Sequence, residues 1–160
     1  MRMGASDTLL NGRPCSSNLA ANRGLAYGDG LFETLRINGG KPLWLDDHLE
    51  RLLAGGRRLD LAIDRPALEE EISLLCQRAS DGPQVLKILC FRRAGGRGYQ
   101  AASQHAERLL SLWPLSATQA WQDGAKLMLC QTRLAISPPL AGLKHCNRLE
   151  QVSAAKELAG

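Results

Sequence analysis

The chain has 160 residues, 44% hydrophobic and 22% charged, a balance that suits a folded globular protein and not a disordered one. The net charge of +4 lies in short, scattered pairs such as Arg57-Arg58 and Arg92-Arg93, and aromatics make up only 4%, so a nucleic-acid surface is not expected. Charges break every apolar run, and the first residues lack the apolar stretch of a secretory signal, so the expectation is a cytoplasmic protein with no membrane partner.

Leu9-Leu10-Asn11-Gly12-Arg13-Pro14 reads as two short strands around an Asn-Gly turn. Leu31 to Ile37, the turn Asn38-Gly39-Gly40, and Pro42 to Leu45 read as a second hairpin. Asp46 and Asp47 are N-cap candidates for a helix with Leu45, Leu49, Leu52 and Leu53 on its apolar face. A second helix follows Asp64, with Pro66 in its first turn and a stripe of Leu68, Ile72, Leu75 and Cys76. Asp81-Gly82-Pro83 stops it.

Val85 to Phe91 is then a strand, Ala94 to Gly98 a loop, and Arg108 to Trp113 the returning strand. Hairpins mixed with helices predict an α+β fold, a sheet layered by helices. Pro114 to Gln119 reads as a linker, and Ala125 to Ile136 as a strand opening a second region, ended by Ser137-Pro138-Pro139. Asn147-Arg148-Leu149-Glu150 has the form of a capping box, so a helix should start there and bury Leu149, Val152 and Leu158. One strand and one helix cannot close a core, so this region reads as incomplete.

Five scattered cysteines without a Cys-x-x-Cys pair argue against a disulfide framework or zinc site, and His48, His105 and His145 show no metal-ligand spacing, so no metal is expected. The many arginines suit small anionic ligands, because the guanidinium fork matches carboxylate and phosphate.

Lys144 stands between the Gly142 turn and a predicted helix start, near Arg148. That position favours the neutral amine of a Schiff-base lysine; the plainer alternative is a solvated loop lysine. Arg51, one turn after His48 and Asp47, suits a phosphate clamp if partly buried, or else a surface pair with Asp47 at i,i+4 spacing. Gly95-Gly96-Arg97-Gly98-Tyr99 follows a strand without a helix behind it, which fails the test for a dinucleotide fingerprint. It either presents Arg97 and Tyr99 to a carboxylate substrate or is a plain hairpin loop. Tyr27-Gly28-Asp29-Gly30 reads as a tight turn ahead of a strand that can line a pocket, with Tyr27 a further substrate-contact candidate.

These segments occur together in a familiar order. Arg23-Gly24-Leu25-Ala26-Tyr27-Gly28-Asp29-Gly30-Leu31-Phe32-Glu33-Thr34 resembles the opening signature of class IV, fold-type IV pyridoxal-phosphate enzymes. That group includes branched-chain and D-amino acid aminotransferases. His48-Leu49-Glu50-Arg51-Leu52 resembles the helix whose arginine binds the cofactor phosphate. Gly96-Arg97-Gly98-Tyr99 and the run Gly142-Leu143-Lys144-His145-Cys146-Asn147-Arg148-Leu149-Glu150-Gln151-Val152 look most like the aminodeoxychorismate lyase family.

The resemblance implies pyridoxal 5'-phosphate as cofactor, Lys144 as catalytic and cofactor-binding lysine, and Arg51 as phosphate ligand. Arg97, Tyr99 and Tyr27 would be substrate contacts. The implied reaction is conversion of 4-amino-4-deoxychorismate to 4-aminobenzoate and pyruvate in folate biosynthesis, by a homodimer.

Residues 1–114 would then be the small N-terminal domain of the D-amino acid aminotransferase-like fold. Residues 115–160 would be a linker and the beginning of the larger cofactor-binding domain. Family members continue through a second domain that supplies the carboxylate at the cofactor's ring nitrogen and most of the phosphate cradle, so the chain is expected to be a truncated form. A class IV aminotransferase and a catalytically silent fragment are the alternatives.

Overall fold

The structure, a computed structural model, describes residues 9–10, 13–14, 21–80, 82–95, 98–115, 124 and 126–158. The first hairpin pairs β1 (Leu9–Leu10) with β2 (Arg13–Pro14); its predicted Asn11-Gly12 turn lies outside the described residues. A five-residue helix, α1 (Arg23–Tyr27), is one the hydrophobic pattern did not signal, because it is too short to show a period. Asn22 caps it, its side chain accepting from the Leu25 N–H, and Gly28 ends it at φ 64°.

The main sheet has the order β4-β3-β5-β6 and is antiparallel throughout, with β3 (Gly30–Asn38), β4 (Lys41–Pro42), β5 (Gln84–Arg92) and β6 (Ala106–Pro114). The strands predicted at Leu31–Ile37, Val85–Phe91 and Arg108–Trp113 recur within two residues at each end, but the one expected over Pro42–Leu45 is only Lys41–Pro42, because Leu45 already begins the next helix. Register puts Leu31 opposite Cys90, Glu33 opposite Ile88 and Leu35 opposite Leu86, so one face of the sheet carries the core. Helices α2 (Leu45–Arg58) and α3 (Arg65–Cys76) supply Leu49, Leu52, Leu68 and Ile72 to it. Gly55 lets α2 approach the sheet closely, since a Cβ there would come 2.9 Å from Leu31 Cδ1.

Two expectations about helix starts fare differently. Asp64 caps α3 as predicted, accepting from the Ala67 N–H. The N-cap of α2 is instead Trp44 at φ 51°, without a side-chain cap, and Asp46 and Asp47 lie in the first turn, where their charges oppose the helix dipole favourably.

The last segment departs most from the sequence reading. No strand forms over residues 126–136; the N–H groups of Gln131 and Thr132 go to the Glu157 carboxylate and that of Ala135 to Glu150, side chains of the final helix. A strand needs a neighbouring strand, and among the described residues none is offered. That helix, α4 (Leu149–Glu157), lacks the predicted capping box: its N-cap is Arg148, Glu150 is engaged by Ala135, and the Asn147 amide donates to the Gly28 carbonyl at 3.4 Å. Leu149, Val152 and Leu158, expected to be buried, are exposed, because no second layer lies over them among the described residues. Pro114 is the last residue of β6, and residues 116–119 of the predicted linker lie outside the described residues.

Leu35 is fully buried at the centre of the core. Leu35→Ala should lower the unfolding free energy by about 2–5 kcal/mol in urea titration, as large-to-small core substitutions do. Asp64→Ala, which removes the α3 cap, should cost about 1 kcal/mol.

Candidate active site

Strand β3 has a row of inward residues, Leu31, Glu33, Leu35 and Ile37, and the second of them is a carboxylate with no exposed surface. A buried charge is tolerated only when paired and hydrogen-bonded. The partners come from α2: Arg51 Nε donates to Glu33 Oε1 at 2.7 Å, Arg51 Nη2 to Oε2 at 2.6 Å, and His48 Nδ1 to Oε2 at 2.8 Å. Lys144 Nζ lies 4.0 Å from the same Oε2. Burial by itself pushes the Glu33 carboxyl up; the hydrogen bonds from Arg51 and His48 and the charges of Arg51 and Lys144 outweigh it and hold the group below the ordinary carboxylate value.

Lys144 reaches this position through its backbone. Phe32 N–H donates to the Lys144 carbonyl and Cys146 N–H to the Gly30 carbonyl, both at 2.9 Å, so residues 144–146 run antiparallel to the outer edge of β3. At the other end of that edge sits β4. Between the two, Glu33, Thr34 and Leu35 have no strand partner on that side among the described residues, and Arg51 and His48 face the notch. A cavity of about 450 Å³ there is lined by Thr34, Arg36, Trp44, Asp47, His48 and Arg51.

The alternative of an Arg51–Asp47 surface pair is not what forms: the guanidinium turns to the buried Glu33 carboxylate. About half of the Arg51 side chain stays exposed, and its Nη1 makes no hydrogen bond among the described residues.

Tyr27 and Tyr99 form a second cluster. Their ring centroids are 5.5 Å apart, Tyr27 Oη accepts from the Gly98 N–H, and Arg23 donates to the Gly98 and Tyr99 carbonyls. Arg23 and Arg92 share Asp29 beneath them, at 2.8 and 3.0 Å. Asp29, Tyr27 and Tyr99 line a cavity of about 480 Å³ with His145 and Asn147, but without Lys144 or Arg51. The two clusters meet in the segment 144–147: Lys144 belongs to one, His145 and Asn147 to the other. Gly28 closes this join, because any Cβ there would fall 2.2 Å from Asn147 Oδ1. Arg97 lies outside the described residues.

Two neighbours of Lys144 stay uncharged. Burial, with the Arg148 charge beside it, pushes His145 below the usual imidazole value, and its buried Nδ1 has no partner among the described residues. Burial pushes the Cys146 thiol up, so it stays protonated.

Glu33 was not singled out in the sequence, although a glutamate at a core-facing position between Leu31 and Leu35 carried the signal: such a residue must find cations. Its partners come from positions 15, 18 and 111 residues away, which alternation alone does not reveal.

The family profile for amino-transferase class IV matches residues 30–159, and the chain belongs to that family. It is 35% identical to the aminodeoxychorismate lyase of Vibrio harveyi over 156 residues, covering 94% of this chain and 56% of that one. The crystal structure of 4-amino-4-deoxychorismate lyase from Pseudomonas aeruginosa superposes with a TM-score of 0.79 at 47% identity, covering 92% of this chain and 55% of that one. A hypothetical aminotransferase from Mycobacterium tuberculosis, solved with pyridoxal phosphate bound, shares the fold at 21% identity, with a TM-score of 0.73. The chain thus spans little more than half the length of these relatives.

The depressed Glu33 value fixes a sign. The stability from its pairing is complete above the ordinary carboxylate value of 4.5 and is lost as pH falls through the lower folded value. Urea midpoints measured from neutral pH into the acid range should show that limb in the wild type and a weaker one in Glu33→Gln. Arg51→Met should destabilise at neutral pH more than Arg57→Met, with the difference shrinking in acid.

Proposed function

We propose that this chain supplies the lysine and one phosphate-binding arginine of a pyridoxal-phosphate-dependent lyase that converts 4-amino-4-deoxychorismate to 4-aminobenzoate and pyruvate. The observation that carries the reading is the convergence of Lys144 and Arg51 on one buried carboxylate in a chain of this family. An amine and a guanidinium that share one neighbour lie within reach of the two ends of a single small molecule, which is the donor set an aldehyde with a phosphate requires. The match to a relative named as a lyase runs over 94% of this chain, whereas the matches to D-alanine aminotransferases run over 36% of it, which favours elimination over amino transfer.

Pyridoxal phosphate, when bound, supplies an electron sink for the pair left on the substrate as a proton departs. Lys144 Nζ would hold the cofactor through its aldehyde. The same amine, when free, would take the proton from the substrate ring carbon and return one to the departing enolpyruvyl group. Glu33, 4.0 Å away, balances the positive charge that Nζ carries between those two transfers. Arg51, held by Glu33 through Nε and Nη2 and half exposed as a side chain, offers its Nη1 to the phosphate. Arg97, Tyr99 and Tyr27 are assigned to the substrate side, and the active assembly to a homodimer.

Adding pyridoxal phosphate, reducing with borohydride and mapping peptides should place the pyridoxyl label on Lys144 in preference to Lys41, Lys87, Lys126 and Lys156. With 4-amino-4-deoxychorismate, 4-aminobenzoate and pyruvate should accumulate together. Lys144→Ala should cost at least about 10²–10⁴-fold in rate, the usual scale for a lost acid–base group. Steady amino transfer to 2-oxoglutarate would make the chain part of an aminotransferase; absence of label and of product would make it a silent module.

A further inference from the structure

The face of the sheet turned away from α2 and α3 carries a row of apolar side chains, Phe32, Leu89 and Leu109, adjacent by register across three strands. Three cations border its Phe32 end. Lys144 Nζ lies 5.0 Å from the Phe32 ring centroid, Arg148 Cζ 5.2 Å and Lys87 Nζ 5.9 Å. They come from the 144–146 segment, the start of α4 and the middle of β5.

One aromatic ring attracts a cation through its quadrupole, but three like charges around it repel one another. The negative charge that would offset them is scarce. Glu33 serves Lys144 and is already held by Arg51 and His48. Among the described residues Lys87 makes no ion pair. Arg148 makes one long hydrogen bond, from Nη2 to the Leu143 carbonyl at 3.5 Å, and its Nε is buried without a partner. Cys146 stands near both, yet burial keeps its thiol protonated. Asp29 is taken by Arg23 and Arg92. Uncompensated cations beside an apolar row fit one kind of ligand: a flat or compact apolar body bearing a carboxylate.

We propose that Lys87, Lys144 and Arg148, gathered around Phe32, form a carboxylate-binding site for a small cyclic acid whose ring lies along Phe32, Leu89 and Leu109. Lys87 is the residue that recognises the anion without taking part in proton transfer. The site deepens the function proposed above by assigning a place to a substrate carboxylate. It rests on that reading only for the identity of the acid, because the anion site itself needs no cofactor.

The test is titration of 4-aminobenzoate and, separately, inorganic phosphate into the cofactor-free chain, followed by ligand fluorescence or equilibrium dialysis. 4-Aminobenzoate should bind, more weakly as salt is raised, and more tightly than phosphate. Lys87→Met should weaken it about five- to tenfold, the scale of one lost charge contact. Lys87→Arg should retain binding, and Lys126→Met should leave it unchanged. Lys87 is exposed, so circular dichroism should show the variant folded. Absence of binding, equal affinity for phosphate, or indifference to Lys87→Met would overturn the proposal. Borohydride labelling of Lys144, measured in parallel, separates the two readings: label without Lys87-dependent binding removes this site and leaves the cofactor reading standing, and the reverse pattern does the opposite.

Discussion

A single buried carboxylate sets the geometry of this chain. Glu33 occupies a core position on β3, where desolvation would expel its charge unless cations met it. Arg51 and His48 on α2 and Lys144 on the returning segment meet it there, so the charge requirement of one residue fixes the relative placement of three elements. An arginine that would otherwise sit on the surface is turned inward along one edge of its fork, leaving the other edge available. The same contact that satisfies the buried acid therefore orients the residues that suit cofactor chemistry.

The central sheet divides the labour between its faces. The inner face is sealed by Leu49, Leu52, Leu68 and Ile72, which gives β3 a rigid seat. The outer face and the free edge hold the proposed sites: Phe32 and Lys87 on the face, the notch and the 144–147 segment along the edge. Tyr27, Tyr99 and the Arg23–Asp29–Arg92 group make a second pocket on the far side of that segment. A stretch of four residues thus borders both clusters, which explains why Gly28 must leave room for Asn147.

Residues 126–158 behave differently from the rest. Leu127, Leu129 and Ile136 are almost fully exposed, and α4 buries nothing. The strand and the capping box read from the local sequence are both absent among the described residues. Backbone donors that a neighbouring strand would have taken went to Glu150 and Glu157, and the glutamate of the expected capping box was thereby used elsewhere. Propensity yields to whichever partner is present.

The sequence by itself determined the elements whose signals are local: the alternation of β3, β5 and β6, the apolar stripes of α2 and α3, the Asp64 cap, and the ordered motifs around Glu33, Arg51 and Lys144 that point to the family. Tertiary structure alone decided which charges meet. Arg51 had Asp47 one turn away and chose Glu33, and Lys144 came to the same acid from the far end of the chain, because the free energy of a buried charge depends on burial and on partners distant in sequence. The cation group at Phe32 has the same origin: register sets the open face, and only folding brings Lys87 and Arg148 to one ring.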